Sequence, residues 1–107
     1  MDRDLIENLA TVVQREVEDF ARGGDWEATT YAVSDPGRQH YAVLIFPDYP
    51  RKYHAAIIVA ARIVDDYVVI DEDITDRPLF NALIEAGIPR EKIICTYVGE
   101  QIPAKEA

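Results

Sequence analysis

One run near the C-terminus, residues 68–97, constrains the fold of this chain more than any other segment. It reads VVIDEDITDRPLFNALIEAGIPREKIICTY, in which two strand-like stretches flank a short helical pattern. No catalytic motif lies inside it. The run therefore indicates a fold class and does not by itself reveal a chemistry.

The helix in this run has clear predicted limits. Thr75 or Asp76 can cap its first turn, Pro78 is tolerated near its start, and we predict that it begins at about Asp76. Gly87 supplies the left-handed conformation that ends helices, and Pro89 prevents the helix from resuming. The apolar residues recur at spacings of three and four and predict one buried stripe: Leu79, Phe80, Leu83 and Ile84.

The remaining segments predict one further helix and more strands. Apolar residues repeat at helical spacing over residues 2–22, and Gly23 and Gly24 stop that pattern. Strand-like segments follow, separated by turn signals at Ser34 to Gly37 and at residues 64–66. These predicted strands are residues 26–33, 40–46, 52–63, 67–70 and 93–97.

The order of elements predicts an α+β fold. We expect a mostly antiparallel sheet of about five strands, an N-terminal helix, and a second helix before the last strand, with both helices packed on one face. At 107 residues the whole chain, 1–107, is expected to be a single domain. The alanine-rich strand 55–61 leaves two alternatives open: both of its faces are buried within one chain, or a second copy or partner covers one of them.

Charge limits the classes of partner. Twenty acidic against eleven basic residues give a net charge of −9, which repels phosphate backbones and makes direct DNA binding unfavourable. The single cysteine cannot form an internal disulfide, and no segment resembles a signal peptide or a membrane span. These features predict a cytoplasmic protein.

No residue pattern predicts a catalytic, cofactor or metal site. His40 and His54 lie on different predicted strands, and the acidic run Asp71, Glu72, Asp73 and Asp76 lacks the spacing and glycine of a calcium loop. Cys95 is expected to pack as a small hydrophobe in its strand. We therefore expect no enzyme activity.

Basic residues cluster only at loops. Arg38, Arg51 and Lys52 fall at one end of the predicted hairpins, where they are the candidates for contact with an anion or a partner. A solvated loop is the alternative interpretation. An enzyme acting on a small molecule would need polar groups to converge around Arg38, His40 and Tyr53.

Several short motifs occur in an order that resembles the XisI-like family of element excision controlling factors. The first is the Asp-x-x-Arg-x-His-Tyr step formed by Asp35, Arg38, His40 and Tyr41. Arg51 and Tyr53 then resemble the Arg-x-Tyr lead into the central strand. The hairpin 63–70, the Asp-x-Thr step 73–75 and the Gly-Ile-Pro-Arg stretch 87–90 complete the pattern.

This resemblance implies a function that the residues alone do not. It implies a non-enzymatic accessory factor for excision of a DNA element by site-specific recombination, acting beside a companion of the nuclease-like XisH family. The expected partner contacts are Arg38, His40, Arg51 and Tyr53. The alternative is an antitoxin-like protein that masks a nuclease-like companion, and a homo-oligomer also stays open.

Overall fold

The protein forms a five-stranded sheet with two helices across the residues that the structure describes. The computed structural model describes residues 3–22, 28–47, 54–75 and 78–103. Its elements, in chain order, are α1 (Arg3–Arg22), β1 (Ala28–Asp35), β2 (His40–Pro47), β3 (Ala56–Val64), β4 (Tyr67–Asp73), α2 (Leu79–Glu85) and β5 (Ile93–Cys95). Short 3₁₀ turns at Arg90–Lys92 and Thr96–Val98 flank β5. Neither described helix has an apolar stretch long enough to span a bilayer.

Strand order follows chain order. The strands lie in the order β1-β2-β3-β4-β5, the first four pair antiparallel, and β5 pairs parallel to β4. A parallel neighbour needs a crossover connection, and α2 provides it. The predicted α+β class, with a mostly antiparallel sheet of about five strands, is confirmed.

Both helices cover the same face of the sheet. Val13 and Val17 of α1 and Leu79 and Leu83 of α2 are fully buried in one apolar cluster. The same cluster contains alternate strand residues, because side chains on a strand point to opposite faces in turn. These strand residues include Tyr41, Val43, Val59, Ala61, Ile63, Val68, Ile70, Ile93 and Cys95. We call this covered side the core face.

Cys95 confirms its predicted role as a small core residue. It is buried on the core face of β5, opposite Ile70. Burial, aided by the Glu100 carboxylate, raises the pKa of its thiol above the ordinary value. The thiolate form needed for nucleophilic reactivity is thus disfavoured.

The start of α2 differs from the prediction. The described helix begins at Leu79 with Pro78 at its N-cap position, later than predicted, and the predicted start at Asp76 lies outside the described residues. The carboxylate that accepts its first N–H comes from Asp73, six residues earlier in the chain. One carboxylate oxygen of Asp73 accepts the Leu79 N–H at 2.6 Å, and the other accepts the N–H and hydroxyl of Thr75 at 3.0 and 2.6 Å. The Asp-x-Thr motif is thus a cap formed from the end of β4. Sequence spacing missed it because the capping residue is distant in the chain.

The Gly-Ile-Pro-Arg stretch positions β5. Gly87 has a φ of 101°, as predicted for the residue that ends α2. Arg90 donates to the Ile93 carbonyl at 2.6 Å and to Glu100 at 2.5 Å, and lies over the Phe80 ring. Glu100 in turn accepts the Cys95 N–H at 2.8 Å. Arg90 therefore binds the first residue of β5 directly and is linked to its last residue through Glu100.

We predict that Asp73→Ala destabilises the fold by about 2 to 4 kcal/mol, because the buried Leu79 N–H loses its acceptor together with two further hydrogen bonds. Urea unfolding measures this change. Glu91→Ala, at an exposed position, is the control and should stay within about 0.5 kcal/mol of wild type. Equal effects of the two substitutions would contradict the capping role.

The Glu100 contacts predict a pH dependence. The Cys95 N–H and then Arg90 hold the pKa of Glu100 below its usual value, so the contacts stabilise the fold above the unfolded-state pKa of about 4.3. That stabilisation is lost as the pH falls through the lower, folded-state pKa. The gap in unfolding free energy between wild type and Glu100→Gln should therefore be constant near neutral pH and close below about pH 4.3. A gap that persists unchanged to pH 3 would refute the assignment.

Candidate functional site on the open face of the sheet

The side of the sheet opposite the helices carries an uncovered apolar surface over β1 to β3. In the strand register, Tyr31 lies opposite Leu44, Val33 opposite Ala42, and Leu44 opposite Ile57, so all share one face. None of these side chains is buried, and Tyr31, Val33 and Ile57 are about half exposed, at 56%, 47% and 50%. We call this surface the open face; it consists of Thr29, Tyr31, Val33, Ala42, Leu44, Phe46, Ile57 and Ala60.

The open face contradicts one of the two alternatives left for the alanine-rich strand, and coverage by a second copy or a partner stays a prediction. Its Ile57 is exposed, while its neighbours Ile58 and Val59 are buried against the helices. A bulge at Ile58 permits this, because β3 has one more residue than β2 at that point. Burial of both faces within one chain is therefore wrong for β3. On β4 and β5, by contrast, the side chains on the side opposite the helices, Val69 and Ile94, are buried.

Charged groups meet at one end of the open face. His40 lies between Asp35 on β1 and Arg62 on β3, each directly opposite it in the register. Arg62 donates to Asp71 of β4 at 2.7 Å. We call these four residues the polar cluster.

Asp71 reaches this cluster because of a second bulge. It is the extra residue of β4 between the pairs that Ile70 and Glu72 form with β3. Burial would raise the pKa of Asp71, but hydrogen bonds from Arg62 and Thr96, with the charges of Arg62 and His40, hold it below the ordinary value. The Asp71 carboxylate therefore stays ionised and paired with Arg62, which links β4 to β3.

A shallow groove of about 340 Å³ joins the polar cluster to the apolar part of the open face. Its lining residues are Val33, Asp35, His40, Tyr41, Ala42, Ile57, Ala60, Ala61, Arg62 and Asp71. The lining of this groove thus combines apolar and charged residues. Such a surface suits contact with another protein.

The structure describes two of the four residues predicted as partner contacts, and it places them differently. His40 lines the groove. Arg38 lies in the β1–β2 turn, where its guanidinium pairs with Asp35 at 3.5 Å and does not line the groove. Arg51 and Tyr53 lie outside the described residues. Of the residues around which a small-molecule enzyme would need polar groups to converge, His40 lines the groove, Arg38 does not, and Tyr53 is not described.

Sequence reasoning missed Arg62, Asp71 and the exposed open-face residues. Strand alternation from Tyr31 and Val33 could have marked one face of β1 as apolar. No local signal showed that the face is uncovered, or that a bulge turns Asp71 towards Arg62.

A second groove lies between the helices. Glu16, Asp19 and Glu85 line it together with Phe20, Pro78, Asn81 and Ala82. Arg15 and Arg22 pair with Glu16 and Asp19, which reduces its negative charge. The four described ranges contain no group of three side chains with metal-ligand chemistry.

These features define a small α+β domain whose sheet is covered by helices on one side and, over β1 to β3, open on the other. A family model for XisI proteins matches residues 2–104, and the chain belongs to the XisI family.

Two crystal structures of proteins from Anabaena variabilis ATCC 29413 share the fold. An XisI-like protein at 1.30 Å is 20% identical, with a TM-score of 0.71 over 82% of this chain and 83% of that one. The fdxN element excision controlling factor XisI, at 2.19 Å, is 20% identical, with a TM-score of 0.70 over 87% of this chain and 86% of that one. Comparison with curated proteins gives no significant match.

Two isoleucine/valine positions test the exposure of the open face. Val59→Thr places a hydroxyl in the core and should cost about 1 to 3 kcal/mol of unfolding free energy. Ile57→Thr, two residues earlier and half exposed, should cost less than about 1 kcal/mol. Urea unfolding compares them, and a larger loss for Ile57→Thr would show that the face is covered.

Proposed function

We propose that this chain is a non-enzymatic accessory factor for excision of a DNA element, acting through a cationic protein partner of the XisH type. Membership of the XisI family supports the excision role, since a protein of the same fold is named as an excision controlling factor. The observation that carries the proposal is the open face, because an exposed apolar surface of this kind indicates a protein interface.

Charge selects the kind of partner. A chain of net charge −9 repels the DNA backbone and attracts a basic protein at long range. A nuclease-like companion needs a basic surface to hold its substrate. On this proposal the open face supplies apolar contact area, and the net negative charge of the chain supplies the long-range attraction.

Binding to the companion and to duplex DNA at physiological salt tests the proposal. We expect companion binding that weakens as salt rises, and no comparable DNA binding. Ile57→Arg should weaken companion binding at least about tenfold, because it places a cation on the surface that meets a cationic partner. The control Ile84→Arg makes the same change on exposed α2, on the helical side, and should bind like wild type.

Tight DNA binding without companion binding would overturn the proposal, as would equal behaviour of the two arginine variants. The companion's nuclease activity, measured with and without this chain, distinguishes an accessory factor for excision from an antitoxin-like inhibitor. Strong inhibition would indicate the antitoxin-like alternative, in which the acidic chain masks the basic substrate groove.

A further inference from the structure

The first strand is an unprotected edge of the sheet. In the part of the chain that the structure describes, β1 has eight residues and pairs only with β2, whereas the opposite edge, β5, has three. Within the described ranges, the elements packed against β1 are β2 and α1, and its one backbone bond outside the β2 ladder is the Arg38 N–H to Asp35 carbonyl turn bond. The outer side of β1 therefore presents a row of backbone donors and acceptors.

Natural edge strands usually carry protection that β1 lacks. Common devices are a lysine, a proline, a bulge or a very short strand. β1 contains no proline and no basic residue, and its only charge is Asp35 at its end. Both bulges of the sheet lie further in, and the β1–β2 register is continuous over all eight pairs. The strand is thus a regular template for another strand.

We propose that β1 pairs antiparallel with β1 of a second copy of this chain across a two-fold axis, forming one ten-stranded sheet. Antiparallel pairing of a strand with its own copy is self-complementary, as a closed dimer requires. This dimer goes beyond the proposed function and does not depend on it. Because the axis is perpendicular to the sheet, the open faces of both copies lie on the same side and join into one surface.

The side chains favour a register centred on Ala32. In that register Tyr31 of each copy lies opposite Val33 of the other on the open face, which gives two aromatic–β-branched pairs. Thr29 lies opposite Asp35 and can donate its hydroxyl to the carboxylate. On the core face, Thr30 lies opposite Ser34, and the small Ala32 side chains meet at the axis.

Two neighbouring registers keep the same alternation of faces, and both are less favourable. Centring the axis on Tyr31 leaves Asp35 with no opposite residue in β1, and centring it on Val33 places Tyr31 opposite Asp35. Both registers lose the two aromatic–β-branched pairs between Tyr31 and Val33. The sequence of β1 is therefore more complementary to itself about Ala32.

Net charge gives this dimer a distinctive salt response. Two copies of charge −9 repel each other, and salt screens that repulsion. Self-association should therefore strengthen as salt rises, whereas binding of a cationic partner should weaken. The sign of the salt effect separates the two interactions in the same protein.

Sedimentation equilibrium of the wild-type chain at low and high salt is the first measurement. We expect a dimer with a dissociation constant of about micromolar order, since a strand-edge contact is at the small end of stable interfaces. Association should be tighter at the higher salt. A wild-type protein that remains monomeric at about 1 mM in high salt would overturn the proposal.

Two double variants test the register. Tyr31→Lys with Val33→Glu places opposite charges against each other in both cross-strand pairs, so the dimer should persist. Tyr31→Lys with Val33→Lys places like charges there and should weaken association at least about tenfold. Both positions are about half exposed, so both variants are expected to fold, as circular dichroism would verify.

The difference in net charge between the two double variants works against the expected result. The lysine–glutamate variant keeps the net charge of −9, while the lysine–lysine variant is less negative, so general repulsion favours dimerisation of the second. Equal association of the two variants, or tighter association of the lysine–lysine variant, would show that β1 is not the interface. Should either variant fail to fold, amide exchange on wild-type β1 decides: protection that rises with protein concentration supports the pairing, and unchanged exchange refutes it.

Discussion

The carboxylate of Asp73 is the interaction on which the architecture depends. It lies at the end of β4 on the core face, opposite Val59, and accepts the first N–H of α2. A single buried side chain thereby joins the last antiparallel strand to the crossover helix. Because α2 starts there, it packs beside α1 and delivers β5 parallel to β4. The consequence is a sheet with both helices on one side and an open face on the other.

The residues that identify the family are mainly structural in this chain. Asp73 accepts the first N–H of α2, Thr75 donates to Asp73, Gly87 ends the helix, and Arg90 donates to the Ile93 carbonyl of β5. The surface suited to contact with other proteins consists instead of ordinary strand residues such as Tyr31 and Ile57, which form no motif. Among the described motif residues, Asp35, His40 and Tyr41 line the groove at one end of this surface, so the family pattern and the candidate interface overlap there.

The sequence predicts most of the fold because each element has its own local signal. Apolar residues at helical spacing mark α1, Gly87 and Pro89 mark the end of α2, and turn residues separate the strands. Long-range features were not predictable in this way. The Asp73 cap spans six residues, the two bulges depend on pairing between strands, and exposure of the open face depends on where both helices pack. His40 was found through the family motif, whereas its neighbours Arg62 and Asp71 required the three-dimensional register.

Hydroxyl-radical footprinting of the chain, alone and with its companion, measures most directly whether proteins bind at the open face. The method reports the solvent exposure of individual side chains. We predict that Tyr31, Val33 and Ile57, which are exposed in the isolated chain, become protected in the complex, while Ile84 on α2 stays reactive. Protection of Ile84 with unchanged reactivity at Tyr31, Val33 and Ile57 would place the interface on the helical side and contradict the account.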